Sequence, residues 1–587
     1  MVDLGIGFAG DQVPGVDIMV PNISFIAERR DKLDGLVLTH AHEDHLGAVS
    51  YLWPHLRCPI YATRFAAAVL HRKLIEAELD GDVDVRQVTP NQRFTLGPFE
   101  VEFVNAAHSI PEAHVLAVRT AAGNVVHATD WKLDPRPMIG NATDEDALRR
   151  LGDEGILAMT CDSTNAMVPG WSGSEAELRD SLIDLVGRCP NRVAVACFSS
   201  NVARLETIAV AAEQNDRQVC VVGRSMVRML EAAREAGYLA NSPPFLTEYD
   251  AGYLPPEKIV LAVTGSQGEP RSALSRIASG DHPSVTLEAG DVVIFSSRAI
   301  PGNEISIGRL RNQLARIGVN AITESDQFVH VSGHPAQDEL AEMHRWINPQ
   351  TLVPIHGETQ HLFEHVIQAK RNGIPHTVIG ENGSVIRLAP GTPAIIGHVT
   401  CGRLAVDGKR LLPIDGTVLR TRQRMQFSGA AVASVVLDGR GRLLVEPQLT
   451  VQGLAADDDR AMDDAIEAIV DVLDRMSNAN RKNDDEVVED ENVSLVVVDP
   501  RETETTRGAD THLRVKPGTD AYLLLGMAAT LIENEGLVDA GFLQSKTKDF
   551  EILRKALAAV DIDEMSRHCG LTREEIVGTA RDYAQAE

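Results

Sequence analysis

Apolar residues in this chain come in short runs that stop abruptly, each followed by polar, helix-period sequence. Leu36–Leu38 is such a run, and a helical pattern begins near Leu46. A second helix is predicted over Thr63–Leu79, and to about residue 135 the alternation predicts α/β layering. Over residues 175–345 the alternation repeats: strand Val193–Phe198 precedes a helix from Asn201, and strand Val219–Val222 precedes Met226–Ala236. That predicts a second, mostly parallel α/β unit. Leu352-Val-Pro-Ile-His-Gly-Glu then returns to the strand-then-loop style of the first. Residues 413–455 are expected to be β-rich, with a turn at Asp438-Gly-Arg-Gly, followed by a helix Ala461–Arg475. Residues 478–491 form a charged stretch, read as a linker or exposed helix face. A strand over Val493–Val498 opens a last α/β piece. At the other end, Met1-Val-Asp-Leu-Gly-Ile reads as the middle of a buried strand with no lead-in. No internal repeat is evident.

Composition narrows the class. At 587 residues, several domains are expected. No run of eighteen apolar residues and no signal-peptide pattern occurs, so neither a membrane span nor secretion is expected. The seven cysteines are scattered and lack a Cys-x-x-Cys pair, which fits a reducing cytoplasm and argues against disulfides or iron–sulfur clusters. The net charge of −28 weighs against non-specific nucleic-acid binding, though a local basic channel is compatible with it.

Candidate chemistry concentrates after the first apolar run. His40, His42, Asp44 and His45 stand in the order His-x-His-x-Asp-His between strand and helix, where their side chains can converge. Neutral imidazole and carboxylate are ligands that zinc favours at catalytic sites. His108, Asp130 and His356 each follow an apolar strand, and a carboxylate at position 130 can bridge two ions, one oxygen to each.

Several further motifs follow in order: Cys161-Asp-Ser-Thr-Asn-Ala, Phe198-Ser-Ser-Asn-Val-Ala-Arg-Leu, Gly223-Arg-Ser-Met, Thr264-Gly-Ser-Gln-Gly-Glu-Pro, His330-Val-Ser-Gly-His and His356-Gly-Glu. With Thr39-His-Ala-His-Glu-Asp-His-Leu-Gly, His108-Ser-Ile-Pro and Thr129-Asp-Trp-Lys, this set resembles the β-CASP nucleases of the metallo-β-lactamase superfamily, most closely the bacterial ribonuclease J group. The resemblance covers about residues 1–490. It implies an αββα metallo-β-lactamase sandwich over 1–174 and 346–412, an inserted β-CASP α/β domain over 175–345, and a truncated C-terminal α/β domain over 413–490. By the same resemblance, His40, His42 and His108 hold one zinc, Asp44, His45 and His356 the other, and Asp130 bridges; Mn2+ or Mg2+ are substitutes. Asp3 braces the ligand loop. His334 is the proton donor, held by Asp162. The loops bearing Gly265, Ser266, Ser297, Arg298, Ser332 and Gly333 are expected to cradle phosphate. The implied activity is hydrolysis of RNA, from a 5′-monophosphate end in the 5′-3′ direction and also internally, in RNA processing and decay in the cytoplasm.

Three departures from that family stand in the sequence. By comparison with that family, two strands are expected ahead of the position of Met1. The C-terminal domain ends early, near Asp490, which argues against the homodimer it would support. The tail, residues 491–587, resembles a fragment of molybdopterin oxidoreductases, with Asp499, Arg501 and Asp520 at positions that contact the cofactor there; lacking the metal-ligating segment, it implies no redox chemistry. Two readings compete: a small-molecule hydrolase of the same superfamily, disfavoured by the inserted domain, and a molybdopterin oxidoreductase fragment fused to an inactive nuclease, supported only by the tail.

Overall fold

Strands Phe99–Ala106 and Ala113–Thr120 pair antiparallel with Phe103 opposite Leu116, and their alternation divides the side chains between two cores. Val101, Phe103 and Leu116 pack with Val37 and Tyr61. Val104, Ala106, Val115 and Ala117 point the other way, onto Leu148, Leu151, Leu340 and Met343. The computed structural model describes residues 1–587 except 11–12, 301, 439–441, 454–458, 477–495, 499–510, 517–518, 535–549 and 586–587. These fall into two units, Met1–Arg424 and Met425–Glu587.

In the first unit, a seven-stranded sheet runs in the order His376–Thr377, Thr351–Ile355, Ala158–Asp162, Gly123–Ala128, Ala113–Thr120, Phe99–Ala106, Arg93–Leu96. Against it lies a parallel three-stranded sheet of Leu36–Val37, Ile60–Ala62 and Val85–Gln87. Helices Val49–Leu56 and Arg64–Glu76 bury their apolar faces on the smaller sheet. Glu145–Glu154 and Gln337–Ile347 cover the larger. The result is the αββα sandwich of a metallo-β-lactamase domain.

The inserted β-CASP domain holds six parallel strands, ordered Phe245–Thr247, Gln218–Val222, Ile259–Val263, Val193–Ala196, Val292–Phe295, Asn320–Ile322. Val193–Ala196, Ile259–Val263 and Val292–Phe295 are buried throughout, as a parallel sheet covered on both faces requires. One face carries Glu175–Arg188, Val202–Gln214 and Arg224–Glu235; the other carries Ala273–Ser279 and Glu304–Arg316. Fully buried Glu339 ties both connections to the sandwich, accepting from the backbone N–H groups of Leu133, Ser172 and Ala336 at 2.8 Å each.

Two local expectations need correction. Asp44 and His45 lie not on an open loop but in a one-turn helix, Glu43–Leu46. Tertiary bonds hold it: the N–H groups of Leu4 and Ile6 donate to the carbonyls of His45 and Glu43 at 2.6 and 2.9 Å. Residues 413–455 are not uniformly β-rich, because Thr417–Ser428 is a helix. Its helix formers are chiefly Arg420, Arg422, Arg424, Gln423 and Gln426, and it ends at Gly429, which has φ +71° and whose N–H donates to the Met425 carbonyl. A hairpin of Ala430–Ser434 and Gln448–Gln452 follows, then a helix Asp459–Arg475.

The second unit also holds a parallel pair, Val496–Val498 with Thr511–Leu513, and a core of Leu513, Leu523, Ile562, Cys569 and Ile576. Asp499, Arg501 and the charged stretch 478–491 lie outside the described residues; Asp520 opens helix Asp520–Ala529. Among the described residues, no helix is long and apolar enough to cross a membrane.

Candidate metal centre

The ends of three strands of the large sheet, Phe99–Ala106, Gly123–Ala128 and Thr351–Ile355, with the segment His40–His45, bring every predicted ligand to one cleft. The Nε2 of His40 and the Nε2 of His108 each lie 3.1 Å from the Nδ1 of His42. Asp130 Oδ2 lies 3.7 Å from the first of these and 3.4 Å from the second. A second set forms around the other oxygen: Asp130 Oδ1 is 3.3 Å from His45 Nε2 and 3.5 Å from His356 Nε2. Asp44 Oδ2 completes it, 3.5 Å from His45 Nε2 and 3.2 Å from His356 Nε2. Ligands about 2.0–2.1 Å from a tetrahedral ion are about 3.3 Å apart, so both sets have the spacing of ion cages.

The outer hydrogen bonds determine which ring nitrogen faces the cleft. Thr39 Oγ1 donates to Asp3 Oδ2 at 2.8 Å and accepts from His40 Nδ1 at 2.9 Å, leaving His40 Nε2 bare. His45 Nδ1 donates to Asp3 at 2.8 Å, and its buried Nε2 has no hydrogen-bond partner. His108 Nδ1 donates to the Gly333 carbonyl at 2.5 Å. Thr164 Oγ1 donates to Asp162 Oδ1 at 2.7 Å and accepts from His356 Nδ1 at 2.9 Å. Four imidazoles thus turn their Nε2 atoms into the cleft, where each can take up an ion or a proton. Such bonds to the far nitrogen are how ligating histidines are oriented. The donor sets therefore fit a pair of divalent ions.

Electrostatics divides the two sets. Burial holds His40 and His108 well below the ordinary histidine range and His42 at about 4, so these three rings are neutral at pH 7. Around the second set negative charge dominates. Asp130 pushes His356 up to about 10 against the cost of burial. His45 rises as well, because Asp130 and Asp3 outweigh its burial. Burial would raise Asp130, but His356, His45 and His334 hold it well below the usual carboxylate range. For Asp44, at the mouth of the cleft, desolvation is outweighed by its hydrogen bond to His356 and the nearby His45 ring, which hold it well below the usual carboxylate range.

Beside the second set, His334 Nδ1 lies 2.7 Å from Oδ2 of the fully buried Asp162. Burial opposes protonation of His334, but Asp162 and Asp130 raise its pKa. His334 packs between His108 and His356, with ring centroids 5.1 and 5.5 Å away. Its loop is pinned by Asn165 Nδ2, which donates to Ser332 Oγ at 2.8 Å and to the His334 carbonyl at 3.0 Å.

The other predicted residues lie on two loop systems. Ser332 Oγ also accepts from the His334 N–H at 3.1 Å, and Gly333 uses its carbonyl to orient His108. Gln267 ties the rest together, donating to Ser297 Oγ at 3.2 Å and to the Arg298 carbonyl at 2.9 Å. Ser266 Oγ is buried without a hydrogen-bond partner, and Gly265 has φ +111°. Thr39 and Thr164 were not singled out from sequence as partners of ligands. Their signal is proximity, since Thr39 precedes His40 and Thr164 stands two residues after Asp162.

Comparison with known proteins converges on one family. Residues 14–148 match the beta-lactamase superfamily domain and 190–314 the ribonuclease J beta-CASP domain. Residues 319–378 match the Zn-dependent metallo-hydrolase RNA specificity domain and 417–498 the ribonuclease J C-terminal domain. Ribonuclease J of Sinorhizobium meliloti is 42% identical over 486 residues, 82% of this chain and 86% of that protein. Ribonuclease J of Mycolicibacterium smegmatis is 39% identical over 463 residues, 78% of this chain and 82% of the relative. The Mycobacterium tuberculosis protein of the same name is 37% identical over 486 residues, again 82% and 86%. With its metallo-β-lactamase sandwich and inserted β-CASP domain, the chain belongs to the ribonuclease J family, a family of metal-dependent nucleases.

Proposed function

We propose that this protein hydrolyses RNA phosphodiester bonds with two zinc ions, acting from 5′-monophosphorylated ends in the 5′-3′ direction and also internally, in cytoplasmic RNA processing and decay. The observation that carries this reading is Asp130, whose two oxygens face two separate ligand sets. In it, His40, His42 and His108 hold one ion, Asp44, His45 and His356 hold the other, and Asp130 is shared; Mn2+ or Mg2+ substitute. Bound there, such ions supply a nucleophile from water near neutral pH and neutralise phosphodiester charge. The match of residues 319–378 to an RNA specificity domain of zinc-dependent metallo-hydrolases supports both metal and substrate class.

His334 then acts as general acid. Asp162 accepts its Nδ1–H and favours the doubly protonated ring, which leaves Nε2–H to donate to the leaving oxygen. The loops of Ser332 and Gly333, Gly265 and Ser266, and Ser297 and Arg298 receive phosphate groups of the RNA. Ser332 keeps its own O–H to donate, since its oxygen accepts from Asn165 and His334.

The test is digestion of a 5′-monophosphorylated, 3′-labelled RNA by the purified chain with zinc or manganese, beside Asp44→Ala. Progressive loss from the 5′ end, absent in the variant, is the expected result. Intact RNA after incubation with folded protein that holds two ions would overturn the proposal.

A further inference from the structure

Behind the cleft runs a buried hydrogen-bond chain that contains none of the groups assigned to the reaction. His344, in helix Gln337–Ile347, and His365, in helix Thr359–Arg371, are 2% and 0% exposed. Their Nε2 atoms lie 3.1 Å apart, with the rings stacked at 5.2 Å. At one end Asn372 Nδ2 is 3.0 Å from His344 Nδ1. At the other, His365 Nδ1 is 2.9 Å from Ser163 Oγ, which is 3.4 Å from the Cys161 carbonyl.

The direction of each bond follows from the donors available. Burial holds both rings below the ordinary histidine range, His344 at about 4, so each carries one N–H at neutral pH. Asn372 donates to His344 Nδ1, so His344 Nε2–H donates to His365 Nε2. His365 Nδ1–H then donates to Ser163, whose hydroxyl donates to the Cys161 carbonyl. The chain is satisfied throughout and reaches the back of the active-site strand Ala158–Asp162.

Its endpoint lies between two residues of the cleft. Asp162 holds the His334 ring and Thr164 holds the His356 ring. Ser163 itself donates its N–H to the carbonyls of Ile355 and His356 at 2.9 and 3.1 Å. His356 has φ +54°, a strained conformation for a side-chain-bearing residue that persists only where its surroundings enforce it. Two apolar side chains would fill the space between the helices without the cost of desolvating two imidazoles, so packing alone does not call for histidines there.

We propose that Ser163, His365 and His344 are positioning residues that hold the Asp162–Thr164 segment against His356, so that one buried chain sets the orientation of both the His356 and the His334 rings. This rests on the assignment of His356 as a metal ligand and His334 as the proton donor.

The test uses the full chain and four variants: Ser163→Ala, His365→Phe, His365→Asn, and His356→Ala as the marker for its own ion set. Cobalt(II) binding is followed by visible absorption, and RNA cleavage by kcat and KM. The expected result is that Ser163→Ala and His365→Phe weaken, by about 10–100-fold, the cobalt equivalent that His356→Ala removes, and leave the other equivalent within about twofold. kcat falls with it while KM stays within about twofold, and His365→Asn, whose amide can replace Nδ1–H as donor to Ser163, recovers most of both. Wild-type cobalt affinity and kcat in Ser163→Ala would overturn the inference, as would His365→Asn no better than His365→Phe. Should His365→Phe fail to fold, Ser163→Ala decides alone. Wild-type protein that binds cobalt through His356 but leaves RNA intact would refute the nuclease proposal, while the cobalt readout still judges the positioning chain.

Discussion

The Nδ1 of His334 lies 2.7 Å from Oδ2 of Asp162, and the carboxylate is wholly buried while the ring stays partly open to the cleft. That asymmetry suits a ring fixed from behind and free to meet substrate in front. His334→Ala is expected to lower kcat by about 10²–10⁴-fold with the metal content unchanged, which is the range for loss of a general acid. Metal analysis of the purified variant checks the assignment, because loss of one ion would make His334 a ligand instead.

Asp3 supports the first ligand loop through three bonds: from the Thr39 N–H and Oγ1–H and from His45 Nδ1, each at 2.8 Å. Asp3→Ala frees the His40 and His45 rings to rotate. Zinc titration against a competing chelator should show affinity weaker by about 10–100-fold. Unchanged affinity would mean that backbone packing alone holds the loop.

A Cβ on Gly333 would lie 2.9 Å from both Cε1 and Nδ1 of His108 and 3.0 Å from Ser109 Cβ. The ring cannot yield freely, because its Nδ1 is bonded to the Gly333 carbonyl. Gly333→Ala should therefore displace His108 and selectively weaken the His40, His42 and His108 set. Metal content near one ion per chain, in protein with a wild-type circular dichroism spectrum, is the expected outcome.

How much of this could be read from the chain alone depends on distance along it. His40, His42, Asp44 and His45 lie within six residues of chain, and His108, Asp130 and His356 each follow an apolar strand, so their convergence is written in strand-end positions. The parallel character of the inserted sheet was legible for a similar reason, since uninterrupted apolar runs such as Val219–Val222 mark strands buried on both faces. The supports were not. Thr164 meets His356 across 192 residues, and Ser163 meets His365 across 202, with no periodicity to announce either. The one-turn helix Glu43–Leu46 was hidden because the bonds that steady it come from Leu4 and Ile6 rather than from local propensity.

The buried histidines also predict how stability responds to acid. His344 titrates at about 4 in the folded protein against 6.5 ordinarily. Between those values the unfolded chain binds the proton and the folded chain does not, so stability rises with pH across that window. The loss on going from pH about 6.5 down to about 4 amounts to about 3 kcal/mol for this one group. Urea unfolding at pH 7 and pH 5 should show a smaller decrease for His344→Phe than for wild type. Equal decreases in the two proteins would place the acid sensitivity elsewhere.

The central claim is that two ions, sharing Asp130, are both needed for RNA hydrolysis. Its most direct test is stepwise return of zinc to metal-stripped protein, with cleavage of a 5′-monophosphorylated RNA measured at each step. Activity should stay low through the first equivalent and reach its plateau only at the second. A plateau at one equivalent, or full activity with none, would contradict the account.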